Sequence, residues 1–214
     1  MPDTRQFDRN KPSETAGSAA NPVRGLQEIG RTKRGKISPE NWNPPFCGDI
    51  DMRIASDGTW YYLNSPIGRK PLVQLFASVM RRDEDLRYYL VTPVEKCGIR
   101  VDDAPFVAVA MAVSGRGRDQ EITLTTNLDD EVRVDDQHPF RFADEALTDG
   151  LKPYVLVRGR LEALVARPIF YDLVALGTVE RRQDADWFGV WSAGRFWPMA
   201  RARDIGIGAA DAGA

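Results

Sequence analysis

The chain holds one histidine, two cysteines and almost no net charge, and each scarcity removes a class of function. His138 is the sole imidazole and stands beside Pro139 in a loop, so histidine-based triads and multi-histidine metal sites have no second member. Cys47 and Cys97 form no C-x-x-C and lie near no histidine cluster, so the spacing of a structural zinc site is missing. Both read as partly buried thiols; the alternative is a reactive Cys97, its pKa lowered by the adjacent Lys96. With 29 basic and 31 acidic residues the net charge of -2 supplies no long-range field toward nucleic acid or anionic lipid. No apolar run reaches the ~18 residues of a membrane helix, and the N-terminus lacks a signal-peptide core. The expected compartment is therefore the cytoplasm, where a disulfide would be unusual. Also missing are the Walker loop, GxGxxG, HExxH and GxSxG, and with them the commonest nucleotide-hydrolase, dinucleotide and esterase readings.

What is present suffices for a packed core, since 43% of the residues are hydrophobic. The chain divides into four segments. Residues 1–38 read as a disordered polar arm, carrying a short helix from about Pro22 to Ile29 and the basic run RTKRGK, a solvated linker without interleaved aromatics. Residues 39–105 and 106–203 read as two similar α+β halves, each a curved antiparallel sheet covering one helix, and 204–214 as a small-residue tail without order.

In the first half, NWNPPFCG over 41–48 reads as a loop pinned by its aromatics, after which Ile50, Met52 and Ile54 alternate as a strand. Ser56-Asp57-Gly58 turns this strand into Thr59 to Leu63, where Trp60 and Tyr62 share one face and Tyr61 and Leu63 the other. Leu72, Leu75, Phe76, Val79 and Met80 keep helical spacing, with Gly68 as N-cap, Pro71 harmless in the first turn, and Arg81 and Arg82 at the C-terminal end. Tyr88 to Val91 reads as a strand, and Ile99 and Val101 alternate with Arg100 and Asp102 before a turn at Asp103-Ala104-Pro105.

The second half opens on Phe106 to Val113, wholly apolar, which reads as a central strand covered on both faces. Strands over Glu121 to Thr126 and Glu131 to Val134 complete a meander; Phe140 to Ala143, then a hairpin of Lys152 to Val157 and Arg160 to Val165, follow. A second helix runs from Pro168 at N1 to about Thr178 on Ile169, Leu173 and Leu176, ended by Glu180-Arg181-Arg182. Strands at Trp187 to Trp191 and Arg195 to Pro198 close the fold. A shift of about 100 residues lays Val79-Met80-Arg81-Arg82 on Val179-Glu180-Arg181-Arg182, a weak internal repeat.

CGDIDMRI, DGTWYYLNSPIGR, LVQLF, YYLVTPVEK and IRVDDAPF together resemble a bacterial family known as domain of unknown function 1285. The resemblance spans about residues 40 to 200, departing from the family pattern at Pro71, where a helix former is usual. It implies a duplicated α+β core and a second half superficially like pleckstrin-homology folds. It also implies a site at the junction of the halves for a nucleotide-like ligand in signal transduction. It names no reaction.

The residues add candidates of their own. Arg53, Trp60, Tyr62, Arg69, Thr92, Lys96 and Asp102 combine cations with aromatic faces, a grouping suited to phosphate contact and base stacking; ion pairs and ordinary core are the plainer reading. Glu95, Asp102 and Asp103 are carboxylates able to hold a hard divalent cation in a metal-assisted hydrolase or phosphoryl-handling enzyme, or simply to cap strand ends. The expectation is a module binding a small anionic, nucleotide-like ligand, without cofactor, membrane partner or strong nucleic-acid binding. That enzyme and a protein-interaction adaptor are the alternatives.

Overall fold

The computed structural model describes residues 38–145 and 150–207. The expected arm, its helix and the RTKRGK run lie outside the described residues. So does most of the tail, although a 3-10 helix over Ala202–Ile205 carries ordered backbone a few residues past the expected boundary at 203.

The first half contributes strands β1 (Phe46–Ile54), β2 (Trp60–Tyr62), β3 (Ser65–Pro66), β4 (Met80–Arg82), β5 (Tyr88–Val91) and β6 (Lys96–Val101), with helix α1 (Lys70–Ser78) between β3 and β4. They form one six-stranded sheet in the order β3-β2-β1-β6-β5-β4. The second half has a similar six-stranded sheet built from β7 (Phe106–Ser114), β8 (Glu121–Thr126), β9 (Glu131–Arg133), β10 (Phe140–Glu145), β11 (Gly150–Arg158) and β12 (Leu161–Val165), ordered β10-β11-β12-β7-β8-β9. Helix α2 (Arg167–Ala175) then leads into a three-stranded meander of β13 (Thr178–Arg182), β14 (Ala185–Ser192) and β15 (Arg195–Arg201). The described residues are thus mostly sheet with two α-helices.

Neither large sheet is wholly antiparallel, contrary to expectation. β1 runs parallel to β6, and β12 parallel to β7; each parallel pair is the seam where two antiparallel groups of strands meet. A parallel neighbour needs a long crossover, and the excursions through α1 and through β8–β11 provide it.

Both helices are shorter than their apolar stripes. α1 takes its N-cap at Arg69 rather than Gly68, Pro71 falls in the first turn, and the helix stops at Ser78. Val79 and Met80 remain fully buried but do so as a cap and a strand, so Arg81 and Arg82 lie in β4 and not at a helix end. Likewise α2 stops at Ala175, and Glu180-Arg181-Arg182 lie in β13. Strand pairing with β5 and β14 supplies partners for these backbones that a tenth or eleventh helical residue would forgo.

β7 is covered on both faces only at its start. Phe106, Val107 and Ala108 are buried, and these are the residues that pair with β12. β12 ends at Val165 because α2 begins, so β7 runs on beside β8 alone and leaves Val109 49% exposed.

The sequence 41–48, read as a loop, also becomes strand from Phe46. Gly48, at φ +101°, admits a bulge at which the β1–β6 register slips from Phe46↔Lys96 to Asp49↔Gly98.

The two halves are tied by polar contacts around a continuous core. Arg158 of β11 donates to the Ala77 carbonyl at the end of α1 (2.7 Å) and lies over the Phe106 ring. Asn127, after β8, donates to the Gly58 carbonyl (3.4 Å) and accepts from the Val107 N–H (3.1 Å). The third sheet is held to the second by Ser192, fully buried, whose hydroxyl donates to the Val134 carbonyl (2.7 Å) and accepts from the Ile122 N–H (3.0 Å).

Candidate functional site

Alternation along β1 turns Met52 and Ile54 into the core and Asp49, Asp51 and Arg53 outward. The parallel partner β6 brings Arg100 opposite Arg53, and Asp102, just beyond the strand, takes a forked pair of bonds from Arg53 (2.8 Å from Nε to Oδ2) with Arg100 at 3.4 Å. The hydrogen-bonded Arg53 guanidinium holds the Asp102 carboxyl below the usual carboxylate range, and that guanidinium also lies over the Tyr61 ring. On the same outer face Lys96 sits 3.2 Å from Asp83 and over the Tyr89 ring at 4.5 Å. Asp83 is bonded to Arg81 as well, and Asp49 to Arg87. The outer face therefore carries cations already matched by carboxylates.

Trp60 and Tyr62 lie on the opposite, inner face. Trp60 is 1% exposed and stacks on Phe76 of α1, its indole nitrogen buried without a hydrogen-bond partner among the described residues. Tyr62 is half-buried against the same core. Thr92 is buried, and its hydroxyl takes the N–H of Glu95 (3.2 Å) in the turn before β6. Arg69 is exposed at the start of α1. Of the seven residues singled out from the sequence, only Arg53 and Asp102 meet directly.

The three carboxylates also part company. Asp102 faces Arg53 and Arg100, whereas Asp103 faces the second half, accepting from Lys152 (2.8 Å) and from the Tyr154 hydroxyl (2.7 Å). Burial, then that bond to Asp103, holds the Tyr154 phenol well above its ordinary range. Glu95 instead joins Cys47 and Cys97, the one grouping of metal-ligating side chains among the described residues. The convergence a metal-assisted site at Glu95, Asp102 and Asp103 requires is not formed. Nor is Cys97 activated: burial, then Glu95 and Cys47, push its thiol up to about 12, and Lys96 projects from the other face of the strand toward Asp83.

The junction of the halves holds two clefts. One, of about 680 Å³, lies between the β4–β5 turn and the β11–β12 turn, lined by Arg81, Arg82 and Arg160 and by Glu40, Asp83, Glu84 and Asp85, so carboxylates outnumber cations along its lining. The other, of about 390 Å³, is bounded by Ser56 and Asp103 from the first half and by Leu151, Lys152, Arg167, Phe170 and Tyr171 from the second. Here the first turn of α2 presents Arg167, a half-buried Phe170 and a 64% exposed Tyr171 around one opening. Lys152, paired with Asp103, and Arg167 line this opening, and two aromatic rings stand beside them. Sequence reasoning missed Lys152, Arg167, Phe170 and Tyr171. The available signal was Tyr171 itself, a large ring off the stripe Ile169, Leu173 and Leu176 that a buried helix face would use.

Residues 39–104 match a domain of unknown function (DUF1285), N-terminal domain, and residues 105–199 match a protein of unknown function (DUF1285), C-terminal domain. A crystal structure of a DUF1285 family protein from Silicibacter pomeroyi DSS-3 is similar at 49% identity and TM-score 0.75, covering 85% of this chain and 98% of that one. A DUF1285 family protein from Shewanella baltica OS155 aligns at 24% identity and TM-score 0.48, over 59% of this chain and 91% of that one. No curated protein matches.

Proposed function

Starting from the fact that the chain belongs to the DUF1285 family, we propose that it is a cytoplasmic signalling module holding a small anionic, nucleotide-like ligand between its two halves. One observation carries this reading: the cleft of about 390 Å³ where Lys152 and Arg167 stand beside Phe170 and Tyr171, against Ser56 and Asp103. Cations supply phosphate contacts, exposed rings supply a stacking platform, and a junction between halves is a usual place for a small-molecule pocket. The same reading treats the halves as copies of one unit, because a helix followed by a three-strand meander occurs in each, α1 with β4–β6 and α2 with β13–β15. The superficial likeness of the second half to pleckstrin-homology folds belongs to this reading and rests on the family resemblance.

A thermal-shift screen over nucleotides and dinucleotide second messengers tests it. A true ligand at 100 times its Kd adds ~2.7 kcal/mol, about 5–11 °C in Tm for a chain of this size. Arg167→Ala and Tyr171→Ala alter exposed side chains and should abolish that shift while leaving the ligand-free Tm in place. A screen with no hit makes the adaptor reading the better one, and a hit indifferent to both variants moves the site elsewhere.

A further inference from the structure

Cys47 and Cys97 are remote in sequence, yet the bulge at Gly48 sets them side by side. Phe46 pairs with Lys96 and Asp49 with Gly98, so the two residues between, Cys47 and Gly48, stand against the single residue Cys97 on the parallel strand. Glu95 lies two residues before Cys97, hence on the same side of the chain, and is positioned by the turn in which Thr92 bonds its N–H and its carbonyl. One sulfur from each cysteine and one oxygen of Glu95 all lie within 4.8 Å of one another. Around a tetrahedral zinc ion, with Zn–S ~2.3 Å and Zn–O ~2.0–2.2 Å, such atoms are ~3.5–3.8 Å apart, so closing the set needs movements of about 1 Å.

We propose that Cys47, Glu95 and Cys97 form a binding site for a thiophilic divalent cation of the zinc class, three protein ligands with a fourth position open at the exposed Cys47 side. Two thiols and a carboxylate suit a soft or borderline ion over Mg²⁺ or Ca²⁺, which prefer oxygen throughout. On binding, each sulfur exchanges a proton for a bond to the metal, so two protons leave per ion from the neutral thiols. The site lies at the start of β1, away from the cleft at Ser56 beyond that strand's other end, and is independent of it.

The test uses the full chain, reduced and stripped with a chelator, then titrated with Zn²⁺ against a chromophoric competitor and with Co²⁺ in parallel. The expected result is one ion per chain, release of about two protons, a thiolate-to-cobalt charge-transfer band, and protection of both thiols from a thiol reagent by Zn²⁺. Cys47→Ser, at an exposed position, should keep the fold and weaken binding at least ~10-fold, about 1.4 kcal/mol, and Glu95→Gln should weaken it in the same direction. The proposal is overturned if zinc binds Cys47→Ser as tightly as the parent, if no zinc is retained against the competitor, or if the two sulfurs are recovered as a disulfide that excludes the metal.

Discussion

Replacing Gly58 by alanine tests how tightly the two halves are joined. Gly58 ends the turn between β1 and β2 at φ +83°, a left-handed backbone that costs a residue bearing a Cβ ~1–2 kcal/mol. A Cβ there would also lie 2.6 Å from the Asn127 side-chain nitrogen and 3.0 Å from a Val107 methyl, both in the second half. Asn127 cannot simply turn aside, because its two amide atoms bond the Gly58 carbonyl and the Val107 N–H. Losing those two bonds adds ~1–3 kcal/mol, and the sum is ~2–5 kcal/mol. At ~2–4 °C per kcal/mol the Tm falls by at least ~4 °C. Differential scanning calorimetry reads this, and because the contact crosses the junction, one cooperative transition should move as a whole. In an Asn127→Ala background the clash with Asn127 is absent and Gly58→Ala should cost its backbone share and the milder Val107 contact alone, a non-additivity of ~1 kcal/mol or more. A fall below ~2 °C, or a second transition that stays in place, would refute the reasoning.

Two further outcomes are expected. At Asp83 burial raises the carboxyl pKa, but bonds from Arg81 and Lys96 outweigh it and the net pKa is lowered. The corresponding stability is present above the ordinary carboxylate pKa and is lost as pH falls through the lowered folded value. Urea unfolding across the acid range should therefore show a shallower decline in Asp83→Asn than in the parent, and identical slopes would dismiss the pair. Ser192→Ala leaves the Val134 carbonyl and the Ile122 N–H buried without a partner and should cost ~1–3 kcal/mol. Amide exchange at Ile122 should accelerate in that variant, and unchanged protection there would show that another group replaces the hydroxyl.

What could be read from the sequence was local. The hairpin through Gly58, the stripe around Phe76 and the opposite facing of Trp60 and Tyr61 depend on neighbours a few residues away, and they are found in the structure. The β1–β6 and β12–β7 seams depend on segments that no period or turn signal connects. Burial along β7 was misjudged for the same reason, since Val109 is exposed by where β12 stops and not by anything in β7 itself. Among the candidate site residues, composition identified the charges but not their matching: Arg53 and Lys96 were legible as cations, while Asp102 and Asp83 as their neutralising partners required the sheet register. Lys152 and Arg167 gather at the cleft only once α2 is set against the linker at Asp103.

The parallel seams also set an order of events during synthesis. Both members of the first, β1 and β6, end by Val101, so every strand pairing of the first sheet can form while the second half is still emerging from the ribosome. β7 repeats the pattern one half later: one edge finds β8 at once, and the other waits for β12, after β8 to β11 have been made. Through that interval Phe106, Val107 and Ala108 lack their companion strand; the two seams close loops of similar length, so the second sheet is completed after the first because its strands are synthesised later.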